Sequence, residues 1–130
     1  MTQEDKELLL KDLCARIPYG VKGIIKGGDV VTTPLKWYAE QTLELSIGYM
    51  VVKNGWRPYL FPLSSMTEEQ KREYDKIIYH SIELHHREYS DIVEIDLFDD
   101  LQDFYCKNHL DYRCLIERGL AIDATGLNVY

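Results

Sequence analysis

The chain has no apolar run long enough to cross a bilayer. Runs such as Leu8-Leu9-Leu10 and Ile77-Ile78-Tyr79 fall far short of the ~20 residues a spanning helix needs. The first residues, Met1-Thr2-Gln3-Glu4-Asp5-Lys6-Glu7, are acidic where a secretion signal is basic, and no apolar core follows them. A cytoplasmic protein is expected. Cysteine is scarce and odd in number, at Cys14, Cys106 and Cys114, so a disulfide framework is not expected; the reading is three reduced thiols in or near the core. Glycine is too sparse for a phosphate cradle. Gly27-Gly28 lacks the Lys and Ser/Thr that should follow, and there is no Gly-x-Ser-x-Gly elbow. Internal repeats and low-complexity tracts are missing as well.

What is present fits one ordinary domain, 1–130. The 130 residues are 45% hydrophobic, enough for a single core without staples. The net charge of −7 is unevenly spread. Residues 1–66 carry eight Lys/Arg against seven Asp/Glu, and residues 67–130 carry seven against fifteen. Phosphates would be repelled by the second half, which disfavours nucleic acid there and leaves it open for the first.

The patterning divides the chain into a helix over 1–17, a β region over 19–62, a helical region over 67–120 and a tail over 121–130. Thr2 with Asp5 resembles a capping box, Leu9 and Leu13 lie four apart, and Pro18 and Gly20 stop the helix. In the β region, Val21 to Lys26, Val30 to Thr33 and the alternating Thr42 to Ile47 read as strands, and Asn54-Gly55 is the strongest hairpin signal. Trp56 to Pro62 returns as an edge or exit strand because of its prolines. Thr67 with Gln70 forms a second capping box, opening a helix to about His86 with Tyr74, Ile77, Ile78 and Ile82 as its buried stripe. Ser90 to Ile95 reads as a loop or extended piece, Leu97 to Asn108 as an acidic helix, and Tyr112 to Arg118 as a short helix closed by Gly119. The expected fold is α+β: an N-terminal helix, a small antiparallel sheet or half-barrel of four to five strands, then two or three helices.

Three blocks, Leu8 to Gly20, Arg57 to Glu69 and His109 to Ala121, resemble a recurrent family of uncharacterised proteins from gut Bacteroidetes and their phages. The blocks cover roughly a third of the chain. The resemblance implies a cytoplasmic, mobile-element setting and transfers no activity or site.

Candidate chemistry is sparse. His80 and His85 are five apart, about 140° around a helix, and cannot clamp one metal ion; His86 is no better placed. Cys106-x2-His109-x4-Cys114 has part of a zinc-knuckle spacing, and Cys106 and His109 could also pair as nucleophile and base. Their apolar neighbours favour core packing instead. Seven acids crowd residues 88–103, including Asp99, Asp100 and Asp103. They lack the glycine and closing Glu of a calcium loop, so they read as a solvated face or a surface for a basic partner. Ten tyrosines and two tryptophans exceed what a small core hides. Trp37, Tyr38, Tyr49, Trp56 and Tyr59, with Arg57, are therefore candidate binding residues on the β half. The expected function is a non-enzymatic protein-interaction module with no cofactor and an unknown protein partner. Its alternatives are a homo-oligomer, a nucleic-acid-associated protein that stacks bases on the β half, and a small enzyme or zinc site at Cys106, His109 and Cys114.

Overall fold

Thr2 begins the first ordered element in a computed structural model of the chain, which describes residues 2–24, 30–31, 55–85 and 90–130. Its hydroxyl accepts from the Asp5 amide at 3.1 Å while the Asp5 carboxylate accepts from the Thr2 amide at 3.2 Å. This reciprocal cap satisfies two orphan donors and opens α1, Gln3–Arg16. A single 3-10 turn, Ile17–Tyr19, with Pro18 early and Gly20 in the left-handed region, ends the helix. Leu9 and Leu13 point into the core.

The expected fold class holds: α+β, with an N-terminal helix, a small sheet and further helices towards the C-terminus. The strands are β1 (Gly23–Ile24), β2 (Val30–Val31), β3 (Arg57–Pro62), β4 (Leu110–Asp111) and β5 (Ile122–Asp123). The sheet is mixed, where an antiparallel one was expected. β1 pairs antiparallel with β2 and β3, whereas β4 and β5 both run parallel to β3. β3 is the hub and not the edge its prolines suggested. The Tyr59 amide donates to Lys22 O and the Phe61 amide to His109 O, both at 2.8 Å. Residues two apart face the same edge of a strand, so β1 and β4 follow one another along one edge of β3. The other edge takes β5, with the Ala124 amide on Leu60 O at 2.8 Å. By the same alternation the nitrogens of Pro58 and Pro62 face the β5 edge. β5 pairs only with Tyr59 and Leu60, so neither missing donor breaks a ladder bond.

Trp56, fully buried, closes the core with Leu9, Leu13, Ile17, Val21, Leu60, Leu115, Leu120 and Ala121. Its indole lies flat on Gly23. A Cβ at Gly23 would stand 2.2 Å from the Trp56 ring and 2.6 Å from Arg57 O, so only glycine fits there.

Two longer helices, α2 (Glu68–His85) and α3 (Ser90–Lys107), form an antiparallel pair. The second capping box is made in both directions: the Thr67 amide donates to Gln70 Oε1 at 2.9 Å and the Gln70 amide to Thr67 Oγ1 at 3.1 Å. The pair is registered by Gln70 on Asn108 (3.3 Å), Glu73 on Lys107 (2.5 Å) and Tyr74 against Phe104 (6.1 Å between centroids).

Four sequence expectations change. Residues 90–95, read as a loop or extended piece, are the first turns of α3. Tyr112 to Arg118 is a series of turns and not a helix, because the Asp111 carboxylate takes the amides of Leu115 and Ile116, each at 2.9 Å. Residues 121–130 are no departing tail: they supply β5 and then dock Tyr130 back on the sheet. Ile82, placed in the buried stripe, is 52% exposed. Of the strand expected over Val21 to Lys26, β1 begins only at Gly23 and residues 25–26 lie outside the described residues, as do residues 32–33, the strand expected over 42–47 and Asn54 of the hairpin signal.

Candidate functional site

A buried polar centre joins α1 to β4. Asp12 and Arg16 are one turn apart on α1 and both fully buried. Arg16 Nε donates to Asp12 Oδ2 at 2.6 Å and its Nη2 to Leu110 O at 2.6 Å. Arg113 Nε lies 3.3 Å from the other Asp12 oxygen. Both guanidiniums sit over the Tyr112 ring, at 5.3 and 4.9 Å, and Tyr112 stacks on Tyr105 at 4.9 Å. Burial pushes the Asp12 carboxyl up from its ordinary value, opposed by Arg16 and Arg113. Burial also works against the Arg16 cation, but Asp12 beside it lifts its pKa overall. A buried pair of this kind contributes little net stability and is costly to break from one side. Its role is to fix β4 in place.

The cysteine and histidine candidates do not form a metal-holding group. Cys106 is buried, His109 is half-buried and Cys114 is exposed. Among the described residues no three His, Cys, Asp or Glu side chains could hold a metal ion. Burial pushes the Cys106 thiol up, which disfavours the thiolate a nucleophile needs. Burial, then Arg16 and Lys22, lowers His109 to about 4. Its ring is committed to a stack on Tyr130, with centroids 3.6 Å apart. The expectation of three thiols in or near the core holds for Cys106 alone; Cys14 and Cys114 are exposed.

The aromatic candidates divide. Trp37, Tyr38 and Tyr49 lie outside the described residues. Trp56 at 0% and Tyr59 at 7% exposure are core residues, so neither ring is a surface anchor. Among the described residues of this group only Arg57 is exposed.

The acidic candidates Asp99, Asp100 and Asp103 are all exposed on α3. Asp103 accepts from the Tyr19 hydroxyl at 2.9 Å, and that bond raises the Tyr19 pKa. A cavity of about 210 Å³ opens beside it, lined by Tyr19, Glu73, Ile77, Asp100 and Phe104 among others.

The helix pair also exposes apolar side chains that sequence reading missed: Phe98 at 75%, Tyr79 at 64% and Ile82 at 52%. Residues turn about 100° each around a helix. Phe98 is therefore on the Tyr105 side of α3, and Asp100, Asp103 and Lys107 are on the far side. Tyr74 meets Tyr105 at 6.5 Å, which puts Ile78 and Ile82, one and two turns beyond Tyr74, on that same edge of the pair. The antiparallel register brings Ile82 level with Phe98. The pair thus has an apolar edge ending in Ile82 and Phe98, with exposed Glu83 and Asp99 beside them, and an acidic edge around the cavity. The signal in the sequence was Phe98 itself, off the Leu97–Leu101–Phe104 stripe and set among acids.

No helix among the described residues is long and apolar enough to cross a membrane. Compared with family models, with curated proteins and with solved structures, the chain finds no match.

Proposed function

We propose that the chain is a non-enzymatic interaction module whose contact surface is the outward side of the α2–α3 pair. Its partner is a basic, amphipathic protein segment. The observation that carries this reading is the exposure of Phe98 and Ile82 at one level of the pair, with Glu83 and Asp99 exposed beside them. Large apolar side chains so exposed are anchors in want of a pocket or a covering helix. The acids around them steer a cationic partner and reject an anionic one. A helix with an apolar stripe flanked by Lys and Arg meets both demands. The resemblance of the three sequence blocks supports a cytoplasmic, mobile-element setting for such a module.

The test is fluorescence anisotropy with a labelled helical peptide of Leu and Lys, at near-physiological salt. Saturable binding is expected, weakened about tenfold or more by Phe98→Ser and by Asp99→Lys. A peptide of the same composition in scrambled order should bind more weakly. Equal binding of both peptides, or binding that neither substitution alters, refutes the reading.

A further inference from the structure

The antiparallel pair of β1 and β3 has a gap in its ladder. Directly opposed residues of such a pair exchange two N–H···O bonds. Lys22 and Tyr59 make one of them, Tyr59 N to Lys22 O at 2.8 Å. The other is replaced by a phenol. The Lys22 amide donates to Tyr130 Oη at 2.9 Å, and that hydroxyl donates to Tyr59 O at 2.7 Å, with Lys22 O a further 3.3 Å neighbour. The gap falls where β1 ends and β4 takes over the same edge of β3. The slot has apolar walls as well. The Tyr130 ring stacks on His109 at 12° between planes and tilts against Phe61 at 5.9 Å. His109 stands at φ 55, an uncommon backbone for a residue other than glycine. At the mouth, Lys22 Nζ takes Val129 O at 2.7 Å and lies 5.8 Å from the Tyr130 ring.

The segment that delivers Tyr130 is held by local turn bonds, Thr125 on the Asp123 carboxylate and the Leu127 amide on Ala124 O, and reaches the sheet through Val129 and Tyr130. Thr125, Gly126, Leu127 and Asn128 are exposed, and Gly126 and Asn128 both have positive φ. Tyr130 itself is 39% exposed. The slot is complete without the segment, since Lys22, Tyr59, Phe61 and His109 all sit on or beside strands.

We infer that this slot is a binding site for a tyrosyl side chain, with Tyr130 as a displaceable plug. The recognition is specific for a phenol: a flat ring for His109 and Phe61, a hydroxyl that both accepts and donates, and a preceding carbonyl for Lys22. The ligand class is a tyrosine-containing peptide, and a second copy's Tyr130 segment is one such peptide. This inference stands apart from the proposed α2–α3 surface.

The probe is 4-methylphenol, with toluene as the control lacking the hydroxyl. Tyr130→Ala should lower Tm, and 4-methylphenol should restore it in a saturable way, by about 5 °C at ten times its Kd. Toluene should restore less, and wild type should respond little because its slot is filled. An equal response of wild type and variant, or none in the variant, overturns the inference. So does a Tyr130→Ala chain that cannot fold, since Tyr130 would then be core and not plug. A second readout uses Tyr130→Phe, which keeps the ring. Hydrogen exchange at the Lys22 amide should rise at least about tenfold while the amides of Leu9 and Leu13 hold. An unchanged Lys22 amide overturns the polar half of the recognition.

Discussion

The sheet half and the helix pair handle polarity in opposite ways. Around β3 polar groups turn inward and several find partners, while Arg16 Nη1, Trp56 Nε1 and His109 Nδ1 make no hydrogen bond. Asp12 and Arg16 hold each other and Leu110 O, Asp111 caps a turn, and Tyr130 bridges a ladder gap. In the α2–α3 pair acids such as Glu83, Asp99, Asp100 and Asp103 turn outward, and so do Phe98, Tyr79 and Ile82. Inward polar groups specify a fold, because each is costly to leave unpaired. Outward apolar groups do nothing for the fold and are available to another molecule. The contrast therefore separates residues that hold the structure from residues free to act.

Substitutions should break along the same line. The largest loss is expected at Arg16→Ala, which strands the Asp12 carboxylate and Leu110 O in the core. Denaturant unfolding should show a loss of about 3–5 kcal/mol. Arg16→Met together with Asp12→Leu should recover much of it, because only the partly exposed Arg113 then lacks its carboxylate.

Next comes a pH effect. His109 is lowered from 6.5 to about 4 in the folded chain. Above pH 6.5 it is neutral in both states and its contribution is fully present. As the pH falls from 6.5 to about 4 the unfolded chain takes up the proton first, so stability falls and then levels off. The His109→Phe variant should flatten that part of the profile. Tyr130 gives the alkaline counterpart. Burial pushes it up to about 12, so its contribution is present below pH 10 and is lost as pH rises from 10 to 12.

Gly23→Ala should cost about 1–3 kcal/mol or more, through overlap with the Trp56 ring. The smallest effects belong to the helix pair, where Phe98→Ser and Asp99→Lys should stay within about 0.5 kcal/mol of wild type. A large loss at either position would erase the contrast.

The sequence made the local signals legible. Both capping boxes hold, since a Thr followed three residues later by Asp or Gln meets a requirement of every helix start. Gly119 takes the left-handed backbone foreseen for it, at φ 74. The non-local arrangement was hidden. Pro58 and Pro62 spoke for an edge strand, and only the shortness of β5 explains how β3 became the hub. Ile92, Val93 and Ile95 are β-branched and disguised the start of α3. Leu115, Ile116 and Arg118 imitated a helix, but Asp111 claimed the amides it needed. Of the candidate site, the acids Asp99, Asp100 and Asp103 were legible as a face. Trp56 was misread as a surface ring because no local pattern shows the glycine across the sheet that receives it.

The central claim is that the outward side of α2–α3 is the working surface. Its most direct test is an NMR titration of the amide-labelled chain with the helical Leu–Lys peptide. The account predicts saturable shifts concentrated at Tyr79, Ile82, Glu83 and residues 97–103, absent in Phe98→Ser. Shifts centred on β1, β3 and the Tyr130 segment, or scattered over the whole chain, would contradict it.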